Sequence, residues 1–148
     1  MDLEGLMRLA IVEAMENPLD VPVGALIVDE AGTIISRGYN RREQTKDPTS
    51  HAEIEALRSA AAATGDWRLE GLTLVITLEP CVMCAGAIRQ SRLSRVVFGA
   101  WEPTAGAAGS RFDLLRDAAF GEPIEVIGGV LEKECSQLLA DYFKDLRN

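Results

Sequence analysis

Apolar positions recur along the chain with two periods, and the changes of period mark the elements. Leu3, Leu6, Met7, Ala10, Ile11 and Ala14 fall at three- and four-residue intervals. That spacing lines one face of a helix, so residues 3–16 predict an amphipathic helix that Asn17-Pro18 ends. Val21 to Asp29 is a nearly unbroken apolar run rich in β-branched residues. Ala31-Gly32 interrupts it, and a second run extends from Thr33 to Tyr39, the pattern of a two-stranded hairpin. Asn40 to Ser50 is polar and contains Pro48, which reads as a loop. His51 to Ala63 is rich in Ala, Glu and Leu and predicts a second helix, capped by Ser50 or Thr49 and stopped by Thr64-Gly65-Asp66. Leu72 to Leu78 predicts a buried strand, Pro80 leads into a helix over about 82–90, and Arg95 to Gly99 predicts a further strand. Residues 103–110 form a Gly/Ala-rich loop. Beyond it, 111–118 predict a helix, 124–128 a short strand and 131–146 a last amphipathic helix.

Strands that alternate with helices imply an α/β fold around one mostly buried sheet. The opening hairpin makes that sheet mixed. The 148 residues suit one domain, 1–148, with neither repeat nor linker, and are enough to bury a core without disulfides. The apolar fraction of 47% and charged fraction of 26% are ordinary for a globular chain. No stretch reaches the length of a membrane-spanning helix. Asp2, Glu4, Glu13 and Glu16 spoil the basic start and apolar run of an export signal, and three cysteines make no disulfide framework. Both points favour a cytoplasmic location.

A net charge of −8 argues against a general nucleic-acid binder. Two stretches are nevertheless basic. Residues 37–46 carry Arg37, Arg41, Arg42 and Lys46; residues 86–116 carry Arg89, Arg92, Arg95, Arg111 and Arg116. Read alone they are ordinary surface scatter; they matter if both flank one site.

The candidate chemistry lies in His51-Ala52-Glu53 and in Pro80-Cys81-Val82-Met83-Cys84, each at the start of a predicted helix. Cys81 and Cys84, three apart on a first turn, share a face and can grip one ion. A helix N-terminus favours the thiolates such an ion needs. His51 offers a third ligand, and zinc with three protein ligands keeps the open position of a catalytic site. Glu53 then lies near that position without ligating, where a carboxylate can shuttle protons. Each half has a plainer reading. A lone Cys-x-x-Cys is also a redox pair, and His-x-Glu arises by chance. The joint H-x-E…P-C-x-x-C pattern is the signature of zinc nucleobase deaminases. Cys135 stands apart, as a core residue or a fourth ligand.

At this point the chain resembles the bacterial tRNA-specific adenosine deaminases, a branch of the cytidine/deoxycytidylate deaminase superfamily. The resemblance runs from about Met7 to Phe143. It is carried by VPVGALIV (21–28), DPTSHAEIEALR (47–58), TLEPCVMCAGAI (77–88), RVVFGA (95–100) and GAAGS (106–110). It implies a three-layer α/β/α sandwich with a five-stranded mixed sheet. It implies a homodimer, with the 82–90 helix and its following strand at the interface. It implies deamination of adenosine to inosine at the wobble position of a tRNA anticodon stem-loop. The resemblance makes His51, Cys81 and Cys84 the ligands of one Zn2+ per subunit and Glu53 the proton shuttle. Asn40, Val23, the Ala52 backbone and Glu102 become the substrate contacts.

Some positions depart from the family pattern. The Arg-Asp-x-Lys that usually follows FGA is here Trp101-Glu102-Pro103-Thr104, which keeps the acid and loses the lysine. Residues 117–123 lack the usual Asn-His-Arg, and the tail 142–148 is short and carries Asp145. Each loss removes phosphate attraction. Trp101 is placed either to stack on a base or to pack the loop. Two other functions stay open on the sequence: a free-base deaminase for guanine or cytosine, and a structural zinc module. The first needs a lid over its pocket, and the second has no need of Glu53.

Overall fold

The computed structural model describes residues 1–147; Asn148, the last residue of the tail, lies outside it. The elements run α1 (Leu3–Ala14), β1 (Gly24–Val28), β2 (Ile34–Tyr39), α2 (Arg42–Thr45), α3 (Ala52–Thr64), β3 (Thr73–Leu78), α4 (Val82–Ser91), β4 (Arg95–Ala100), a 3-10 turn (Ala118–Phe120), β5 (Glu125–Ile127) and α5 (Glu132–Arg147). The five strands form one sheet in the order β2-β1-β3-β4-β5. β1 pairs antiparallel with both β2 and β3, while β3, β4 and β5 are parallel, so the sheet is mixed as the hairpin implied.

Alternate side chains of each strand enter different cores, which explains why the strands read as unbroken apolar runs. Ala25, Ile27, Leu74, Ile76, Val96 and Phe98 face α3 and α4. Leu26, Val28, Val75 and Val97 face α1 and the start of α5, where Cys135 is buried. The result is the three-layer α/β/α sandwich. Glycine sets how closely the layers approach. A Cβ on Gly24 would lie 2.0 Å from the Ala10 carbonyl oxygen of α1, and one on Gly38 would lie 2.4 Å from the Ala52 carbonyl oxygen of α3.

Three local expectations differ from the structure. Residues 111–118 form turns rather than a helix. Their backbone bonds go outward: the Leu114 amide donates to Ala107, the Leu115 carbonyl accepts from Ile124, and the Arg89 guanidinium donates to the Leu115 and Glu122 carbonyls at 2.7 and 3.0 Å. Helix α3 is entered through His51, not capped by Ser50 or Thr49; Ser50 Oγ donates instead to the Glu55 carboxylate. The 40–50 loop contains the single turn α2, because the buried Asp20 carboxylate accepts from the Glu43 and Gln44 amides at 2.7 and 3.2 Å. Sequence separation hid that partner.

Candidate active site

The donors of the motif stand where two helices begin on the same side of the sheet. His51 is the N-cap of α3 and Cys81 the N-cap of α4, both with extended backbone, and neither side chain caps its own helix. These side chains are free to point beyond the helix ends, while the unpaired first-turn amides favour negative charge there. Cys84 follows in the first turn of α4 and is fully buried.

His51 Nδ1 lies 3.5 Å from Cys84 Sγ and 3.7 Å from Cys81 Sγ, and all three donor atoms fall within 4.8 Å of one another. Tetrahedral zinc with bonds of about 2.0–2.3 Å holds neighbouring donors roughly 3.5–3.8 Å apart, so the set fits this ion. Among the described residues it is the one cluster of its kind. Cys135 is not part of it: its sulfur packs against Gly99 among the residues facing α1.

The environment treats the three donors differently. The Cys84 hydrogen bond, with help from His51, pulls the Cys81 thiol down to about 4 against the opposing effect of burial. The same bond, together with burial and the nearby Glu53 carboxylate, drives the Cys84 thiol upward. The His51 imidazole is raised, chiefly by its bond to Cys81. Glu53 is 4% exposed, and its carboxyl rises to about 7 through burial, with the Cys81 charge adding to the effect. A carboxyl near neutrality can both take and give a proton at working pH.

These groups open on a cavity of about 220 Å3. Val23, Asn40, His51, Ala52, Glu53, Cys81 and Glu102 line it. That set contains every site residue singled out in the sequence except Cys84, which is buried. Asn40 is held by its own amide: Nδ2 donates to the Val21 carbonyl at 3.1 Å and Oδ1 accepts from the Arg42 amide at 3.3 Å. One N–H and one lone pair remain free. Glu102 turns Oε1 back on the Thr104 and Ala105 amides at 2.9 and 3.3 Å, which shapes its loop. Sequence reasoning had Arg42 only as part of a basic stretch, and missed Val21, Leu78, Glu79 and Ala105 in the lining. The position of Glu79 beside Pro80-Cys81 was the one signal available.

The basic stretches separate. Arg42 reaches the cavity wall, whereas Arg41 pairs with Glu55 at 3.8 Å and Lys46 with Glu43 at 3.7 Å. No arginine of the 86–116 stretch lines the cavity. Arg89 is committed to carbonyls, Arg92 pairs with Glu70 at 3.7 Å, and Arg116 pairs with Asp113 at 2.9 Å. The larger hollow of about 660 Å3 beside Arg89, Arg92 and residues 120–124 contains none of the chemistry above. Trp101 packs edge-on against Phe98, with ring centroids 4.8 Å apart, and does not face the cavity.

Known proteins match this arrangement. Residues 1–100 fit the family model of the cytidine and deoxycytidylate deaminase zinc-binding region. The chain is 46% identical to the tRNA-specific adenosine deaminase of Bacillus subtilis over 143 residues, covering 95% of this chain and 88% of that one. It is 47% identical to the tRNA-specific adenosine deaminase of Haemophilus influenzae over 146 residues, covering 97% and 84%. A solved structure from work on A-to-I editing by tRNA:A34 deaminases superposes with a TM-score of 0.86 at 39% identity, covering 91% of this chain and 99% of the other. With a family model matched over two thirds of its length and near-half identity along nearly all of it, this chain belongs to the tRNA-specific adenosine deaminases of the cytidine and deoxycytidylate deaminase family.

Proposed function

We propose that residues 1–148 form one deaminase domain that converts adenosine to inosine at the wobble position of a tRNA anticodon. The domain works in the cytoplasm as a homodimer with one zinc ion per subunit. The observation that carries this reading is the buried Glu53 carboxyl beside the His51, Cys81 and Cys84 donors on one cavity. When bound, zinc makes water nucleophilic near neutral pH. Glu53 takes one proton from the attacking water and gives it to ring nitrogen N1, then takes the remaining proton from the new C6 hydroxyl and gives it to the amine leaving C6. Water supplies the new oxygen and ammonia departs. The free half of the Asn40 amide orients the base edge, the Ala52 amide offers an unpaired first-turn donor, and Val23 covers the ring.

The cavity is small beside the roughly 300–1,000 Å3 that encloses a whole small ligand. It suits a base flipped out of a loop, whose sugar and phosphates remain at the mouth. A free-base enzyme needs a lid over the base; α5 packs toward β4, and none of its described residues line the cavity. For the dimer, the interface is placed on α4 and its following strand β4, and α4 exposes Val82 and Met83 for it.

The test is inosine formation in an anticodon stem-loop with adenosine at the wobble position, alongside free adenine, guanine and cytosine. Conversion of the stem-loop alone is expected. Conversion of a free base with an untouched stem-loop would overturn the substrate assignment. Glu53→Gln is expected to keep its zinc and lose roughly 10²–10⁴-fold in turnover; full turnover would remove Glu53 from the mechanism.

A further inference from the structure

Glu79 follows β3 and stands two residues before Cys81. Its side chain is 2% exposed, and it lines the cavity. Among the described residues, the hydrogen bonds that its carboxylate accepts all come from one loop. Oε1 accepts from the Glu102 amide at 2.9 Å and from the Ser110 hydroxyl; Oε2 accepts from the Ala108 and Ser110 amides, both at 3.0 Å. The 101–110 loop lies outside the named helices and strands. It is also tied down by Ala107 N–H to the Pro80 carbonyl at 2.8 Å and by the bridge between Cys81 and Gly106. The fit around the carboxyl is close: a Cβ on Gly106 would lie 2.4 Å from Glu79 Cδ. The same loop carries Glu102 and Ala105 onto the cavity wall.

We infer that Glu79 is a positioning residue that fixes the 101–110 wall of the cavity and, through Glu102 and Ala105, the seat of the base. It takes no part in holding the metal or moving the proton. This rests on the deaminase reading above. Three backbone amides and a hydroxyl converge on two oxygens, and only a carboxylate accepts from all of them at once. An amide in the same place sets N–H against N–H in either orientation. With its nitrogen at the Oε1 position it opposes the Glu102 amide, and with its nitrogen at the Oε2 position it opposes two amides. Buried donors left unpaired are costly, so the loop must shift.

The experiment uses the zinc-loaded full chain and the variants Glu79→Gln and Ser110→Ala. Zinc content is measured by metal analysis, loop order by amide hydrogen exchange, and kcat and KM on the adenosine stem-loop. For Glu79→Gln the zinc content should equal that of the parent. Amides of 101–110 should exchange at least tenfold faster while those of β3, β4 and α3 are unchanged. KM should rise at least tenfold with kcat within threefold. A purely global loss of stability would instead speed exchange throughout and leave KM alone, which overturns the inference. Loss of zinc, or parental exchange in the loop, overturns it as well. If Glu79→Gln does not fold, Ser110→Ala decides. It removes one donor and should raise KM about threefold with faster loop exchange, and parental values refute the idea. If the parent protein leaves the stem-loop untouched, the deaminase reading on tRNA fails, while the exchange measurement still judges Glu79.

Discussion

Replacing Gly38 by alanine tests whether the fold itself sets the site. The backbone at Gly38 is an ordinary strand, so the constraint is space and not conformation. A Cβ there would meet the Ala52 carbonyl oxygen at 2.4 Å and the Ala56 nitrogen at 2.6 Å, both in the backbone of α3. A helix backbone cannot swing aside as a side chain can. Restoring that 2.4 Å to a tolerable 3.0–3.4 Å lifts the first turns of α3 by about 0.6–1 Å. Overpacking of this kind costs about 1–3 kcal/mol. The loss of a glycine stiffens the unfolded chain and returns about 0.4–1 kcal/mol. The net loss then lies within about 0–2.6 kcal/mol, centred near 1.3 kcal/mol, or roughly 3–5 °C in Tm at the centre for a chain of this size. Ala52 lies between His51 and Glu53, so the same lift displaces the proposed metal donor and the proposed shuttle together. A misplacement near 1 Å costs on the order of 10²-fold in turnover. Thermal unfolding by circular dichroism, with and without zinc, gives the first quantity; kcat/KM on the stem-loop gives the second. The destabilisation should persist in the metal-free protein, because the clash is with the sheet. A parental Tm would show that the layers do not meet at Gly38, and a lowered Tm with parental turnover would show that α3 does not govern the site.

Other perturbations separate the remaining contributions. Asp20→Ala strips α2 and Asn17 of a carboxylate that is 2% exposed, so a loss of at least about 2 kcal/mol is expected in urea unfolding; an unchanged midpoint would mean that water replaces the carboxylate at little cost. Burial raises the Cys135 thiol to about 11, which leaves roughly one thiolate in 10³ at pH 8. The zinc-loaded protein should therefore show no thiol that reacts with Ellman's reagent within minutes, and a fast third thiol would contradict the burial. With Arg41, Arg42 and Lys46 as the cations of the 40–46 loop, the plot of log affinity for the stem-loop against log salt should have a slope no steeper than about −3. A slope near −6 would reveal a basic surface supplied elsewhere, as by a partner subunit.

How much the sequence determined follows from how local each signal was. The strands β1, β3 and β4 were legible because burial on both faces leaves unbroken apolar runs, and α1 and α3 because their periodicity stays within one helix. The clustering of the proposed metal donors was legible because His51 and Cys81 each open a helix, and the first-turn spacing to Cys84 needs no long-range information. What failed was non-local. Residues 111–118 have helical composition, yet their carbonyls are taken by Arg89 and their amides by the 106–108 loop. The basic stretch 86–116 would have mattered if it flanked the site with 37–46, but folding sent Arg89 to carbonyls and Arg92 and Arg116 to acids, away from the cavity. Asp20 and Glu79 carry no motif of their own. Each acts through backbone amides at least 23 residues away in sequence, so these roles exist only once the chain has folded. The sequence by itself determined the layers and the chemistry, because periodicity and ligand spacing are written along the chain. Tertiary structure decided which loops wall the cavity and which charges reach it, because hydrogen bonds between distant segments leave no periodic trace.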